Sequence, residues 1–147
     1  MDIPFENWYP GDDFVDQVVI NGFNRAMYDR KWKTFDQIFA KPYAQIASMT
    51  QKEIRIGEMS TVPSRRQYGE ELISNSEAKA DWIKDAFAKI LYDYPRLTSV
   101  SWFLENKLGE FDGNFYYWGL NSDAEVAAFR EGVESLHFTP QFPTSNQ

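Results

Sequence analysis

Three short stretches of the sequence end in residues that could bind or cleave a sugar. Glu58 follows Gly57 at the end of EIRIG, a stretch typical of a buried strand. Phe23 and Trp102 lie near the ends of two further stretches of this kind. An aromatic ring can stack on a pyranose, and a carboxylate can meet its anomeric carbon. These residue types indicate a sugar site, although Glu58 is equally typical of a helix N-cap partner or of a loop carboxylate in a salt bridge.

The elements that would position these residues alternate between strands and helices. A turn-forming Gly-Asp-Asp precedes the first β-branched run, and an Asn-Gly pair lies near its end. The pattern predicts three strands, near Phe14–Ile20, Glu53–Gly57 and Thr98–Leu104.

Helical periodicity follows each predicted strand. Pro42 is expected to divide the first helical stretch into two short helices, because proline suits a first turn and not an interior. Ser74 and Glu77 fit a capping box for the second helix, which Pro95 ends. The last helix, DAEVAAFREGVESL, is predicted to turn four apolar residues inward: Val126, Phe129, Val133 and Leu136.

Three strand–helix repeats predict an α/β fold with parallel strands and right-handed crossovers. Such units build either an open doubly wound sheet or a (β/α) barrel. In both architectures functional residues collect at the carboxyl ends of the strands. We therefore expect Phe23, Glu58 and Trp102 to converge at one end of the sheet.

The composition excludes several classes of function. The chain has 147 residues, 43% hydrophobic and 25% charged, which fits one folded domain, and no apolar run approaches the ~20 residues of a membrane span. The net charge of −7 argues against nucleic acid, and no glycine-rich phosphate loop is present. With no cysteine and His137 as the single histidine, we expect neither a metal site nor a cofactor. The 17% of aromatic residues indicates a large aromatic core or, alternatively, rings exposed for stacking.

The stretches WYPGDDFVDQVVINGFN, KEIRIGEMS, KADWIKDAF and YPRLTSVSWF, in this order and spacing, resemble the C-terminal part of glycoside hydrolase family 26. That family contains β-mannanases and related β-glycanases on a (β/α)8 barrel. The resemblance runs from about Trp8 to about Val133 and implies a partial barrel whose three βα units match strands six to eight. Residues 1–147 would form a single domain or barrel fragment, with an irregular tail at 138–147. The resemblance also implies an extracellular or secreted protein, although no signal peptide is visible.

The resemblance assigns roles to individual residues. Glu58 matches the catalytic nucleophile of a retaining mechanism, which forms a covalent glycosyl-enzyme. Trp102 matches an aromatic residue that forms the floor of the subsite of the cleaved sugar. Phe23, Trp8 and Tyr9 are implied as further substrate-binding residues near the cleft.

The sequence departs from the family pattern at two points. Phe23 stands where well-studied members have a tyrosine that hydrogen-bonds the nucleophile, so the orientation of Glu58 would be less fixed. The acid/base glutamate lies on the fourth barrel strand, and this chain begins just before the sixth. Glu105 is the nearest substitute by position, but it is more typical of a solvated loop carboxylate.

Two main hypotheses of function follow. The chain is part of a glycoside hydrolase that acts on a β-1,4-linked polysaccharide such as mannan, and is incomplete or weakly active alone. Alternatively, it is a non-catalytic carbohydrate-binding module, or an interaction module whose exposed sheet edge pairs with a partner strand. Three βα units cannot close a barrel, so a complementing chain or self-association would cover the open sheet, unless the units form a small three-layer domain.

Overall fold

The computed structural model describes residues 4–25, 32–63, 76–108 and 115–136. Two 3₁₀ turns lie at Phe5–Asn7 and Asp12–Phe14. Within the described ranges the strands are β1 (Gln17–Asn24), β2 (Glu53–Thr61), β3 (Leu97–Trp102), β4 (Lys107–Leu108) and β5 (Phe115–Tyr116). The α-helices of the described residues are α1 (Phe35–Met49), α2 (Ser76–Tyr92) and α3 (Asp123–Ser135).

The main sheet has the order β1-β2-β3, and both strand pairs are parallel. Because α1 follows β1 and precedes β2, and α2 follows β2 and precedes β3, each strand pair with its helix forms a βαβ unit. The strands β4 and β5 form a separate antiparallel pair. The predicted α/β fold with three parallel strands, adjacent in chain order, is confirmed.

The strand limits differ from the prediction. Residues Asp12–Phe14 form a 3₁₀ turn, so β1 begins three residues later than Phe14 and continues through the Asn-Gly pair. The strand β2 does not end at Gly57 but continues to Thr61, because β1 supplies hydrogen-bonding partners as far as Asn24. The third strand begins one residue earlier than predicted, and ends two residues earlier, at Trp102.

The first helix is continuous, and the expected division at Pro42 is wrong. Thr34 starts this helix with a capping box: its hydroxyl oxygen accepts the Gln37 N–H, and the Gln37 side chain accepts the Thr34 N–H. Proline removes one backbone hydrogen bond from the helix interior. Phe39 and Ile46, before and after Pro42, are both buried against the sheet, and their burial holds the two halves in one helix.

The helices cover one face of the main sheet, which we term the helix face. Gly22 lies on it against α1, where an added Cβ would lie 2.5 Å from Cγ2 of Ile38. The largest apolar cluster fills the space between this face and the helices; its buried members include Phe35, Phe39, Ile46, Ile54, Ile56, Met59 and Trp82. The opposite face, which we term the open face, includes Val19, Asn21, Phe23 and Arg55. The side chain of Val19 is 54% exposed.

The inner face of α3 matches the prediction at Phe129 and Leu136, which pack against the apolar cluster shared with α2, but not at Val126 and Val133. Val126 and Val133 are each 39% exposed. The buried positions are one residue away, at Glu125, Ala128 and Gly132. A Cβ at Gly132 would lie 2.1 Å from Cδ2 of Phe87 on α2. At Ala128 and Gly132 the close approach of the two helices therefore selects small residues, whereas sequence patterning favours large apolar ones.

Three expectations fall outside the described residues. They concern Ser74 in the capping box of α2, the single histidine His137, and the irregular tail predicted at 138–147. Across the four described ranges, none of the helices is long and apolar enough to cross a membrane.

Candidate functional site

A β-bulge at Gly57 determines where the Glu58 side chain points. Ile20 pairs with Ile56, but the next residue of β1, Asn21, pairs with Glu58, so Gly57 is an extra residue in β2. Side chains alternate between the two faces of a strand, and a regular β2 would therefore turn Glu58 to the helix face, as it turns Ile56. The extra residue reverses the alternation, as bulges do. Glu58 consequently lies on the open face beside Asn21.

Asn21 and Gly57 stabilise this bulge together. The side-chain oxygen of Asn21 accepts a hydrogen bond of 2.9 Å from the backbone N–H of Glu58. A Cβ at Gly57 would lie 2.5 Å from Cγ1 of Val19 and 2.7 Å from the Asn21 oxygen. Bulges leave backbone groups without ladder partners, and here an amide side chain satisfies one of them in a space that only glycine leaves free.

The Glu58 side chain is exposed on the open face. Within the four described ranges its carboxylate makes no ion pair and no hydrogen bond; the contact to Asn21 uses the backbone N–H. Glu58 is therefore neither an N-cap partner nor one half of a salt bridge in this part of the molecule. An exposed carboxylate on a paired strand is available to a ligand.

Three aromatic rings, Phe23, Phe103 and Trp118, form what we term the aromatic wall. The Phe23 ring lies 5.9 Å from that of Phe103 and 5.3 Å from that of Trp118, in edge-on arrangements. Phe23 is on the open face, and it pairs with Ser60, two residues beyond Glu58 on β2. The wall therefore stands at the carboxyl end of the sheet, next to Glu58.

Two cations lie over the partly exposed rings of this wall. The Arg25 guanidinium lies 5.5 Å from the centre of the Phe23 ring, and the Lys107 ammonium lies 5.2 Å from that of Phe103. Trp118 is almost completely buried behind them. Phe23 and Phe103 are thus the rings that a ligand could contact, with Trp118 as their support.

The expected convergence of the three sequence-predicted residues is correct for Phe23 and Glu58 but wrong for Trp102. Trp102 pairs with Met59 and lies on the helix face. Its ring packs against Trp82, Phe87 and Phe129, with centroid distances of 6.1, 6.0 and 5.3 Å. The following residue, Phe103, reaches the Glu58 side of the sheet instead.

The expectation that Trp8 and Tyr9 lie near the cleft is also wrong for Tyr9. Its hydroxyl donates to Asp12 Oδ1 at 2.6 Å, and Thr50, which caps the end of α1, donates to the same oxygen. These hydrogen bonds, from Thr50 and then Tyr9, hold the pKa of the Asp12 carboxyl below its usual range. Thr50 precedes β2, and at ~3.3 Å per residue Glu58 lies roughly 25 Å further along the chain. Trp8 adjoins Tyr9 and is 71% exposed.

Sequence reasoning missed three residues of the site. Asn21 belongs to an Asn-Gly pair, which is more typical of a turn than of a strand. Phe103 follows Trp102, and side chains alternate along a strand. Because Trp102 is predicted to lie at the site, the same alternation predicts that Phe103 points to the opposite face. Trp118 comes from the aromatic loop after β3, where no periodicity indicates a position. Glu105, the suggested substitute acid, is exposed in that same loop.

A metal site is not visible in the described portions of the chain, where no three potential acidic or histidine ligands are grouped. At the carboxyl end of the open face, the described side chains offer the exposed Glu58 carboxylate, amide and hydroxyl groups, and aromatic rings.

Comparison with known proteins found a curated relative. No protein-family model matches the chain. It is 35% identical over 129 residues to Endoglucanase H of Acetivibrio thermocellus, a match that covers 85% of this chain and 12% of that protein. The chain thus spans a small part of the length of this curated relative.

Two solved structures share the fold. The structure of PfGH50B matches 84% of this chain and 18% of its own, with a TM-score of 0.53 and 21% identity. A GH113 β-1,4-mannanase matches 88% of this chain and 42% of its own, with a TM-score of 0.50 and 16% identity. Because both are barrel enzymes, the predicted partial (β/α) barrel is confirmed. Together with the sequence similarity, they support a relationship to glycoside hydrolases without singling out one family.

Proposed function

We propose that this chain is the nucleophile-bearing part of a retaining glycoside hydrolase of the family 26 type. The observation that carries the proposal is the bulge at Gly57, which turns an exposed carboxylate onto the open face beside the aromatic wall. A bulge next to a functional residue is a common way to aim its side chain. The similarity to Endoglucanase H over most of the chain supports the same conclusion.

The proposed reaction is a double displacement at the anomeric carbon. A carboxylate oxygen of Glu58 attacks that carbon and forms a glycosyl ester, while the bond to the leaving oxygen breaks and that oxygen takes a proton from a general acid. Water then hydrolyses the ester and regenerates the carboxylate. The family's general acid has no match in this sequence, so we expect the chain alone to cleave a natural polymer slowly. Protonation of the leaving group typically contributes ~10²–10⁴-fold.

The proposed substrate is a β-1,4-linked polysaccharide. Phe23 and Phe103 offer ring faces on which sugar units can stack, and the Asn21 and Ser101 side chains add polar groups to the open face. The resemblance to family 26 favours mannan, whereas the name of Endoglucanase H favours a glucan. Both sugars therefore belong in the first assays.

The test uses substrates whose leaving group needs no acid. We expect the chain to release dinitrophenol from a 2,4-dinitrophenyl β-mannoside or β-glucoside, and to lose this activity in Glu58→Gln. The matched control is Glu105→Gln, which removes an exposed carboxylate from the loop after β3 and should leave turnover unchanged. Equal activity of the wild type and Glu58→Gln would contradict the proposed nucleophile.

A non-catalytic carbohydrate-binding module is the second candidate. Its supporting observation is Phe23, which lacks the hydroxyl that would orient the nucleophile. In that case mannohexaose or cellohexaose would bind equally to the wild type and to Glu58→Gln, and neither protein would turn over an activated glycoside. Titration calorimetry beside the aryl-glycoside assay separates the two candidates.

We also propose that a complementing chain, or a second copy of this chain, covers the open sheet. Within the described sheet β1 and β3 each lack a neighbour on one side, and unpaired strand edges favour association. Light scattering of the purified chain would show self-association as a mass above 17.2 kDa.

A further inference from the structure

We propose that Lys79 is a positioning residue of the carbohydrate site, which it serves by holding Trp118 against Phe23. The proposal rests on the proposed function, because the site concerned is the one beside Glu58. Lys79 lies in the first turn of α2.

The Lys79 ammonium group reaches the segment 117–119 that follows β5. It donates to the carbonyl oxygens of Tyr117 at 2.8 Å and of Gly119 at 2.5 Å, and it lies 3.4 Å from Oε2 of Glu125. An ammonium group has three N–H donors, and these three acceptors satisfy all of them. Two of the three are the carbonyls on either side of Trp118.

Trp118 itself is held from the sheet. Its carbonyl oxygen accepts a hydrogen bond of 3.1 Å from the hydroxyl of Ser60, two residues after Glu58 on β2. Its ring stacks on Tyr116 at 5.2 Å and meets Phe23 edge-on at 5.3 Å. The backbone of the segment is thus fixed from α2 by Lys79 and from β2 by Ser60, on either side of and at Trp118.

The partner of Lys79 is fixed as well. The carboxylate of Glu125, in the first turn of α3, also accepts the backbone N–H of Asn121 at 2.8 Å. It therefore ties the end of the same segment to α3. Lys79, Glu125 and the two carbonyls join α2 and α3 to the backbone that carries Trp118.

Stability alone is a poor reason for this arrangement. The side chains of Lys79 and Glu125 are 0% and 1% exposed, and burial lowers the pKa of Lys79. One Glu125 oxygen, Oε1, has no hydrogen-bond partner in the described part of the chain. A buried ion pair can often be replaced by apolar residues with no loss of stability. An apolar side chain, however, cannot bind two carbonyls and so fix the position of Trp118.

The test compares Lys79→Met with Lys84→Met, which removes an exposed ammonium from the same helix. We expect Lys79→Met to shift the indole N–H signal of Trp118 in the NMR spectrum of the ligand-free protein. This signal is assigned by its absence in Trp118→Phe. We also expect weaker binding of mannohexaose or cellohexaose, by up to about tenfold, because a displaced Trp118 no longer supports the stacking ring of Phe23. Lys84→Met should change neither readout. The double variant Lys79→Met/Glu125→Leu leaves no unpaired buried charge and covers the case in which the single variant does not fold.

Each outcome bears on the proposal. A folded variant with the wild-type Trp118 signal and wild-type affinity would overturn it, as would loss of the fold in both Lys79 variants, because the pair would then be structural. If the wild type binds neither sugar, the proposed function fails, whereas a shifted Trp118 signal still supports the positioning role.

Discussion

The side-chain oxygen of Asn21 accepts a hydrogen bond of 2.9 Å from the backbone N–H of Glu58, across two neighbouring parallel strands. This contact holds the β-bulge that turns the Glu58 carboxylate to the open face. Asn21 on β1 therefore determines the direction of a side chain on β2. Without the bulge, Glu58 would point into the apolar core, where an unpaired carboxylate is unfavourable.

We expect Asn21→Leu to loosen this bulge. The substitution removes the acceptor of the Glu58 N–H, so the free energy of unfolding should fall by about 1 kcal/mol. Turnover of an activated aryl glycoside should fall as well, because the carboxylate is no longer oriented. The control is Gln17→Leu, at the other end of the same strand and face, which should leave turnover unchanged. Equal turnover in the two variants would contradict the role of Asn21.

Gly57→Ala should destabilise the protein by about 1–3 kcal/mol, the usual cost of an overpacked site. The new Cβ would lie 2.5 Å from Cγ1 of Val19, which the added methyl must displace. Val19→Ala removes that atom, so the double variant Gly57→Ala/Val19→Ala should regain part of the loss. Urea unfolding of the four proteins gives the coupling free energy. Additive losses would show that the two positions do not compete for this space.

Trp102 and Phe103 should respond differently to the same replacement. Trp102→Leu removes a ring from the core between the sheet and the helices, so it should lower stability by about 1–3 kcal/mol and leave sugar affinity unchanged. Phe103→Leu removes a ring from the aromatic wall and should weaken oligosaccharide binding about two- to tenfold. Calorimetry at a temperature where both variants are folded makes the comparison. Weaker binding in Trp102→Leu alone would restore Trp102 as the sugar-stacking residue.

The acid stability of the fold should depend on Asp36. Hydrogen bonds from Lys89 and then Tyr94, at 2.9 and 2.7 Å, hold the pKa of the Asp36 carboxyl below its usual range. A lowered folded-state pKa contributes stability above the unfolded value, which is about 4, and that stability is lost as the pH falls through the folded value. The difference in unfolding free energy between the wild type and Asp36→Asn should therefore be constant near neutral pH. It should shrink below pH ~4. A gap that stays constant down to pH ~2 would contradict this explanation, and Asp85→Asn, at an exposed aspartate of α2, is the control.

The sequence was sufficient to predict parallel strands, because three strand-like runs separated by helical periodicity indicate βα units. The order of the strands followed from the resemblance to a barrel family. It was also sufficient to place Phe23 and Glu58 at one end of the sheet. It was not sufficient to predict the bulge, since the stretch EIRIGEMST gives the same pattern whether Gly57 ends a strand or is an extra residue within it. Only the pairing with Asn21 distinguishes the two.

Two other differences have the same origin in tertiary contacts. Alternation along β3 correctly predicts that Trp102 and Val100 lie on the same face of the sheet. Whether Glu58 lies on that face or on the opposite one depends on the extra residue in β2, which the sequence does not reveal. On α3 the side chain of Phe87 leaves no room for a Cβ at position 132, so Gly132 and not Val133 is buried there. Neither the partner strand nor the partner helix can be read from the local pattern.

The central claim is that Glu58 is a nucleophile that attacks an anomeric carbon. The direct measurement is covalent trapping with a 2-deoxy-2-fluoro-β-mannosyl or β-glucosyl fluoride, where fluoride leaves without a proton and the fluorine at C2 slows hydrolysis of the ester. We expect the intact mass of the chain to rise by one fluorosugar, with the label on the peptide containing Glu58 and no label in Glu58→Gln. A folded wild-type chain that gains no mass, or a label on a residue other than Glu58, would contradict the claim.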